Sequence, residues 1–382
     1  MGTSGRVPRT RRVDCSGPGI ARLRRGRGFA YVDADGARIV DEPTIDRIRA
    51  LAIPPAWRDV WICRDPHGHI QATGIDGAGR KQYRYHDDWR RRRDQAKFDA
   101  MVAFARELPG LRRRVARDLV PPAPDDGDGP GGGLGEARVL ACAVRLLDVG
   151  LFRIGGEDYA AQNETYGLTT LRKAHVQLER DGLLFDFPAK HGVRRVQRVC
   201  DPDVRPVIAA LKRRRGGGDE LLAWRRDGGG RGGRGAWVDV KAEDVNAYLK
   251  EAAGGDFSAK DFRTWNATAL CAVVLARRAQ EATSRTSRRR LVKAAIDEVA
   301  TFLGNTPAVA RGSYIDPRVI DRFGEGLTVA AALAARSDPA HLEQDEPVPE
   351  QNVSERVRRA VLDLIDGDED APGVDEMEAL AA

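Results

Sequence analysis

Cysteine is scarce and scattered. The 382-residue chain has five, at Cys15, Cys63, Cys142, Cys200 and Cys271, an odd number with no pair at CxxC spacing. That excludes a disulfide framework and a zinc site built on paired thiolates, and it makes a reducing cytoplasm the expected compartment. No apolar run approaches the ~20 residues of a membrane span. The Arg-rich start has no apolar stretch of the kind a secretory leader carries, so no membrane partner is expected. A GxxxxGK[ST] loop, which would cradle a nucleoside triphosphate, is also missing. Acidic residues are not gathered at metal spacing: Asp33 and Asp35 flank a turn, and Asp125 and Asp126 fall in a Gly-rich loop. His67 and His69 stand across a strand turn and read as surface residues rather than metal ligands. Neither a metal nor another cofactor is called for.

Charge is present in quantity and unevenly spread. The formal net charge is +6, but residues 343–382 hold 13 acidic and 3 basic side chains, a net of −10 that leaves +16 on residues 1–342. A body this basic suits a polyanion, nucleic acid first. The length allows two or three domains at about 150 residues each.

Patterning divides the chain into four parts. Residues 1–28, with Arg22, Arg24, Arg25 and Arg27 close together, read as a mobile basic arm. Residues 29–88 read as a small β-rich domain. Phe29–Val32 and Ala37–Val40 flank Asp35-Gly36, Val60–Cys63 and His69–Ala72 flank a second turn, and Asp76-Gly77 precedes Arg80–Tyr85. Residues 89–330 are mainly helical. They are interrupted by a meander in which Val176/Leu178, Leu183/Phe185/Phe187 and Val193/Val196/Val199 supply the apolar positions, and by Gly-rich loops at 121–135 and 213–235. Residues 331–382 read as an acidic, flexible tail with a short helix over Val353–Ile365. The fold class is α+β.

Several polar residues stand out by their setting. Arg153 follows a helix and precedes Gly155-Gly156, in front of the segment Asn163-Glu164-Thr165-Tyr166-Gly167-Leu168-Thr169-Thr170-Leu171. Lys190 sits in the turn Ala189-Lys190-His191-Gly192. Lys260 and Arg263 open a long helix, and Asn305 lies nine residues before Tyr314. Singly, each has an ordinary reading: a helix-end ion pair, a solvated turn lysine, a packed tyrosine. In this order they resemble the type IB DNA topoisomerases, especially the compact poxvirus and bacterial forms, from about Phe29 to about Gly326. The family order of Arg, Lys, Lys-x-x-Arg, His-or-Asn and Tyr falls on Arg153, Lys190, Lys260/Arg263, Asn305 and Tyr314. The resemblance implies a catalytic core like that of the tyrosine recombinases and a monomer that clamps duplex DNA, in a bacterial nucleoid. It further implies that Gly79–Tyr85 enters the DNA major groove, with Lys81, Gln82, Tyr83 and Tyr85 as contacts, alongside Tyr159 and Lys260. Tyr83 and Tyr85 share a strand face, so packing in a small sheet is the competing account of both.

The chemistry needs such groups. Cleavage of a phosphodiester develops charge on the non-bridging oxygens, and the planar forks of Arg153 and Arg263 suit them. Asn305 stands where the poxvirus enzymes have His; it can donate a hydrogen bond but cannot titrate. Tyr314 would attack and, by the resemblance, hold the DNA 3′ end. The departing 5′ hydroxyl needs a proton, for which Lys190 is the expected donor. A turn lysine pointing into a cleft loses part of its solvation, which brings its pKa toward neutrality. The ester conserves the energy of the broken bond, so religation needs no ATP. A tyrosine recombinase and a non-catalytic DNA-binding protein are the alternatives. Recombinases usually show His-x-x-Arg-His at the second arginine, where this chain has Lys260-Asp261-Phe262-Arg263-Thr264.

Overall fold

The computed structural model describes residues 9–121, 133–226, 235–334 and 353–377. The glycine-rich centres of the two loops, residues 122–132 and 227–234, lie outside the described residues. Packing divides the chain into two compact units, Met1–Lys97 and Phe98–Ala382.

In the first unit, strands β1 (Ile20–Arg25) and β2 (Gly28–Val32) are followed by helix α1 (Glu42–Ala50) and strands β3 (Arg58–Ile62), β4 (Ile70–Ile75) and β5 (Lys81–Tyr85). They form one antiparallel sheet in the order β2-β1-β3-β4-β5. Ile20, Ile48, Val60, Ile62 and Ala72 make its core. Asp41 caps α1 by accepting from the Thr44 amide at 2.9 Å. Asp76 organises the turn before β5: its carboxylate accepts from the backbone of Arg80 and Ala78 and from Gln82. Those bonds, that to the Arg80 amide first, hold its pKa down at about 2.

The expected basic arm is partly wrong. Residues 1–8 lie outside the described residues, but Arg22, Arg24 and Arg25 belong to β1, paired with β2 through a turn in which Gly26 takes φ +58°. Arg22 donates to the carbonyls of Ile53, Pro54 and Trp57 and lies over the Phe29 ring. Partners for the guanidinium and an aromatic platform let this arginine serve as a strand residue. The Asp35-Gly36 turn is present, yet it closes only a single bridge, Val32 to Arg38, so Ala37–Val40 adds no full strand beside β2, which stays at the edge of the sheet.

The second unit is mainly helical. Helix α2 (Asp87–Leu119) starts in the first unit and continues here, followed by α3 (Glu136–Gly150) and α4 (Glu157–Asn163). The meander β6 (Val176–Leu178), β7 (Leu183–Pro188) and β8 (Arg194–Val199) comes next, then α5 (Val204–Arg213), the hairpin β9 (Ala223–Arg226) and β10 (Ala236–Asp239), and α6 (Ala242–Ala253). The chain ends in α7 (Ala259–Arg277), α8 (Arg285–Leu303), α9 (Pro307–Ser313), α10 (Pro317–Glu325), β11 (Leu327–Thr328), α11 (Ala330–Ala334), α12 (Glu355–Asp366) and β12 (Asp375–Glu376). The architecture is therefore α+β. Helix α7 is buried along nearly its whole length, including Trp265 and Phe262, and forms the centre of the unit. Because α7 is fixed on all sides, a side chain carried on it has little freedom to move.

The meander has the expected strands with one shifted face. In β8 the residues turned inward are Arg195, Gln197 and Val199, whereas Val193 and Val196 are exposed. Strand alternation has a period of two, and the three-residue spacing of those valines cannot lie on one face.

The acidic stretch is not simply a flexible tail. The helix expected over Val353–Ile365 is there as α12, capped by Ser354, and it packs on α7, α10 and α11. Val357, Val361, Leu364 and Ile365 are buried, and buried Arg358 donates to the Ala105 carbonyl at 2.7 Å. Strand β12 pairs with β11. The acidic residues of α12 occupy its outer face, which the net charge of the segment conceals. Truncation after Leu342 should therefore destabilise the second unit. Burying a side chain of this size contributes about 1.5–3 kcal/mol, so losing four should lower the thermal midpoint by at least about 10 °C. Scanning calorimetry reads this; an unchanged midpoint would mean that α12 contributes nothing to the fold.

Candidate active site

Two helix C-termini and one helix start meet in the second unit. Helix α3 ends at Gly150, and Leu151 takes the left-handed conformation (φ 50°) that turns the chain toward Arg153. The glycines that follow are used for contact. A Cβ on Gly167 would lie 2.5 Å from the Gly155 backbone and 2.8 Å from the Arg153 carbonyl, so only glycine fits there. The amides of Leu168 and Thr169 bond the carbonyls of Arg153 and Ile154, each at 2.8 Å. The Asn163–Leu171 segment thus acts as a brace for the Arg153 loop.

Helix α8 ends at Gly304 (φ +61°), which delivers Asn305. Thr306 then caps α9, with Pro307 in its first turn, and Tyr314 follows the last residue of that helix. The Tyr314 carbonyl accepts from Thr268 of α7 at 3.2 Å. Ile315 is fully buried, and Asp316 caps α10 through the Arg318 amide. The Tyr-Ile-Asp-Pro sequence is thus a tyrosine at the end of one short helix, an anchor, and the start of the next.

Four of the five residues assigned to catalysis gather around this point. Arg263, 3% exposed on α7, donates to the carbonyls of Leu151 and, at 2.9 Å, Leu303. Its guanidinium lies 5.3 Å from the centre of the Tyr314 ring. Arg153 donates to the Gly304 carbonyl at 3.2 Å and to the Asn305 side-chain oxygen. The Asn305 amide nitrogen is buried and donates to nothing among the described residues. A sequestered donor without an acceptor costs about 1–3 kcal/mol, so the site has an unfilled demand for an acceptor.

The electrostatics follow from this crowding. Burial first, and the charge of Arg153 next, pull Arg263 down to about 10, still far above neutrality. Burial alone would push the Tyr314 phenol up. The charge of Arg263, with Arg153 and Lys260 behind it, outweighs burial and holds the phenol below the usual tyrosine value. Lys260 is exposed on the first turn of α7 and acts here through its charge.

Lys190 stands in the turn between β7 and β8. It lines, with Arg153, Arg195 and Gly304, a cleft of about 680 Å³. Its side chain is exposed, so the desolvation expected of it is not a property of the free protein. Arg195, a further cation of the cleft, escaped the sequence reading; the two-residue alternation of β8 was the signal that could have found it.

In the first unit, Tyr83 and Tyr85 are 40% and 41% exposed and stacked at 6.0 Å, with the Lys81 ammonium 5.8 Å from the Tyr83 ring centre. They are therefore not the core of the sheet. Gln82 faces the other way and gives its amide to Asp76 at 2.9 Å. Tyr159 falls on α4, and its side chain lies outside the described residues. Among the described residues, no helix is long and apolar enough to cross a membrane.

The family model described as eukaryotic DNA topoisomerase I, catalytic core, matches residues 86–328, and that for the bacterial DNA topoisomerase IB N-terminal domain matches residues 28–76. The chain is 31% identical over 299 residues to the DNA topoisomerase 1B of Acanthamoeba polyphaga mimivirus, covering 78% of this chain and 85% of that protein. It is also 32% identical over 133 residues to a DNA topoisomerase 1 of Daucus carota, 34% of this chain and 15% of the plant protein. The match over residues 86–328 spans the residues that frame the site, and the chain belongs to the type IB DNA topoisomerases.

Proposed function

We propose that the protein relaxes supercoiled duplex DNA through a transient 3′-phosphotyrosyl bond, with Tyr314 as nucleophile and with neither ATP nor a metal ion. The observation that carries this reading is the meeting of Arg263, Arg153, Asn305 and Lys260 around one tyrosine whose phenol is held below its usual pKa.

In this scheme the Tyr314 phenol gives up its proton to solvent, its oxygen attacks phosphorus and the bond to the 5′ oxygen breaks. Arg153 and Arg263 bind the non-bridging oxygens, and the Asn305 amide fills its vacant hydrogen bond with one of them. Lys190 donates a proton to the departing 5′ oxygen. Covering of the Lys190 turn by the duplex supplies the desolvation that the free protein lacks. Swivelling of the nicked strand releases turns, and attack of the 5′ hydroxyl on the tyrosyl ester reverses the first step. The ester bond retains the energy of the phosphodiester, so no nucleotide is consumed. The exposed tyrosine pair on β5 provides a further duplex contact, with Lys81 beside it to meet phosphate. The enzyme works as a monomer.

The test is relaxation of supercoiled plasmid in a chelating buffer without nucleotide. Stepwise relaxation to a topoisomer ladder is expected. Plasmid that stays fully supercoiled under those conditions would overturn the reading.

A further inference from the structure

The last three carbonyls of the α8 end are each held by a different arginine. Arg195 donates to Phe302 at 3.4 Å, Arg263 to Leu303 at 2.9 Å and Arg153 to Gly304 at 3.2 Å. A helix C-terminus leaves its final carbonyls unpaired and carries partial negative charge, which explains why cations collect there. Two of the three arginines are absorbed by the proposed chemistry. Arg195 is not.

Its other contacts show what it does. The Arg195 Nε donates to the Gln197 side-chain oxygen at 2.9 Å, and the Gln197 amide in turn donates to the Gly150 carbonyl at the end of α3. Both side chains lie on the inward face of β8, five and seven residues after Lys190. The pair therefore ties the strand that leaves the Lys190 turn to two places at once: the α8 end that delivers Asn305, and the α3 end that delivers Arg153. On the other side of the turn, β7 is tied by the Tyr166 amide to the Pro188 carbonyl at 2.8 Å. Lys190 itself is exposed and reaches the cleft only as far as its turn is aimed.

We propose that Arg195, supported by Gln197, is a positioning residue that sets the Lys190 turn against the Arg153 and Asn305 loops, and so aims the proton donor at the leaving oxygen. The inference rests on the role of Lys190 in the proposed reaction. The guanidinium of Arg195 is committed to protein acceptors through Nε and Nη2, which suits bracing rather than contact with phosphate.

The chemistry offers a readout that separates aiming from charge. A substrate whose leaving 5′ oxygen is replaced by sulfur departs as a thiolate, which needs no proton at neutral pH because a thiol is acidic near pH 8.5. Cleavage by the full-length protein is measured on oxygen and sulfur substrates for Lys190→Ala, Arg195→Ala, Arg195→Lys and Gln197→Met. Loss of aim should slow Arg195→Ala on the oxygen substrate roughly 10- to 100-fold, and cleavage of the sulfur substrate should return to within about threefold of the unsubstituted protein. Gln197→Met should show the same pattern more weakly, and Arg195→Lys should recover only part of the loss, since an ammonium cannot bond two acceptors in a fork. An equal loss on both substrates would place Arg195 on the phosphate and overturn the proposal, as would no loss on either. If Lys190→Ala itself is not rescued by sulfur, the proton-donor reading fails instead. Its rescue without that of Arg195→Ala rejects only the positioning role. Thermal midpoints of the variants identify any that are misfolded, and in that event Gln197→Met carries the test.

Discussion

Tyr314→Phe should yield a protein that folds, binds duplex DNA with undiminished affinity and forms no covalent adduct. The ring is only half-buried, and what fixes this residue is its backbone: the carbonyl is held by Thr268 and the neighbouring Ile315 is buried. Removing the hydroxyl therefore leaves the packing nearly intact while deleting the attacking atom. Removal of a nucleophile that acts in concert with its partners lowers rates by about a million-fold in a well-studied hydrolase, and a loss of that order is expected here. The measurement is a denaturing gel of protein incubated with end-labelled duplex, alongside plasmid relaxation. An adduct that persisted in Tyr314→Phe would move the nucleophile to another residue and dissolve the arrangement of cations described around Tyr314.

The second large effect belongs to Arg263→Ala. Three losses coincide at this position: a fork for the phosphate oxygens, the main cation that opposes burial at Tyr314, and the bonds to the Leu151 and Leu303 carbonyls. Loss of one preorganised donor costs about 100- to 1,000-fold, so a fall of about 1,000-fold in cleavage is expected. The sign of the accompanying pH effect is fixed. In the native protein the phenol lies below its usual value because the cations outweigh burial. Without Arg263, burial dominates and the phenol titrates higher, so the phenolate fraction at a given pH falls. The cleavage rate should then keep climbing with pH beyond the point at which the native enzyme has levelled off. Ultraviolet titration, taken as the difference from Tyr314→Phe, reads the phenol directly; a titration that did not move upward would contradict the stated electrostatics. Arg263→Lys tests geometry apart from charge and should recover the phenol more than the rate.

The elements of this fold that could be read from the chain are those whose signals are local. Asp76-Gly77 announces the turn into β5, and the apolar alternation of Leu183, Phe185 and Phe187 announces β7. The errors occurred where composition stood in for pattern. Arginines suggested an arm over residues 1–28, although Arg22 donates to carbonyls more than 30 residues away. Acidic residues suggested a loose tail over 331–382, although the apolar spacing of Val353–Ile365 within it already described a helix that needs a core to cover it. The candidate site was legible only as an ordered set resembling a family. Its convergence was not legible, since Arg153 and Asn305 touch across 152 residues of chain. Nor could the bracing by Arg195 be read, because a half-buried arginine on a strand looks like any surface cation until its acceptors are known.

The end of α8 also bears on how the enzyme lets go. In free protein Arg263 and Arg153 already have oxygen acceptors in the carbonyls of Leu303 and Gly304, while Arg195 stays on that of Phe302 as a brace. In the proposed reaction, arriving phosphate exchanges one set of oxygens for another for these two arginines, and departing phosphate returns their guanidiniums to a place that is waiting for them. Like charges so close together would otherwise drift apart between encounters, or hold the sealed strand too tightly to release it. A helix terminus that substitutes for the phosphate gives such an enzyme a resting state, and with it the means to dissociate from an unbroken duplex and begin again elsewhere.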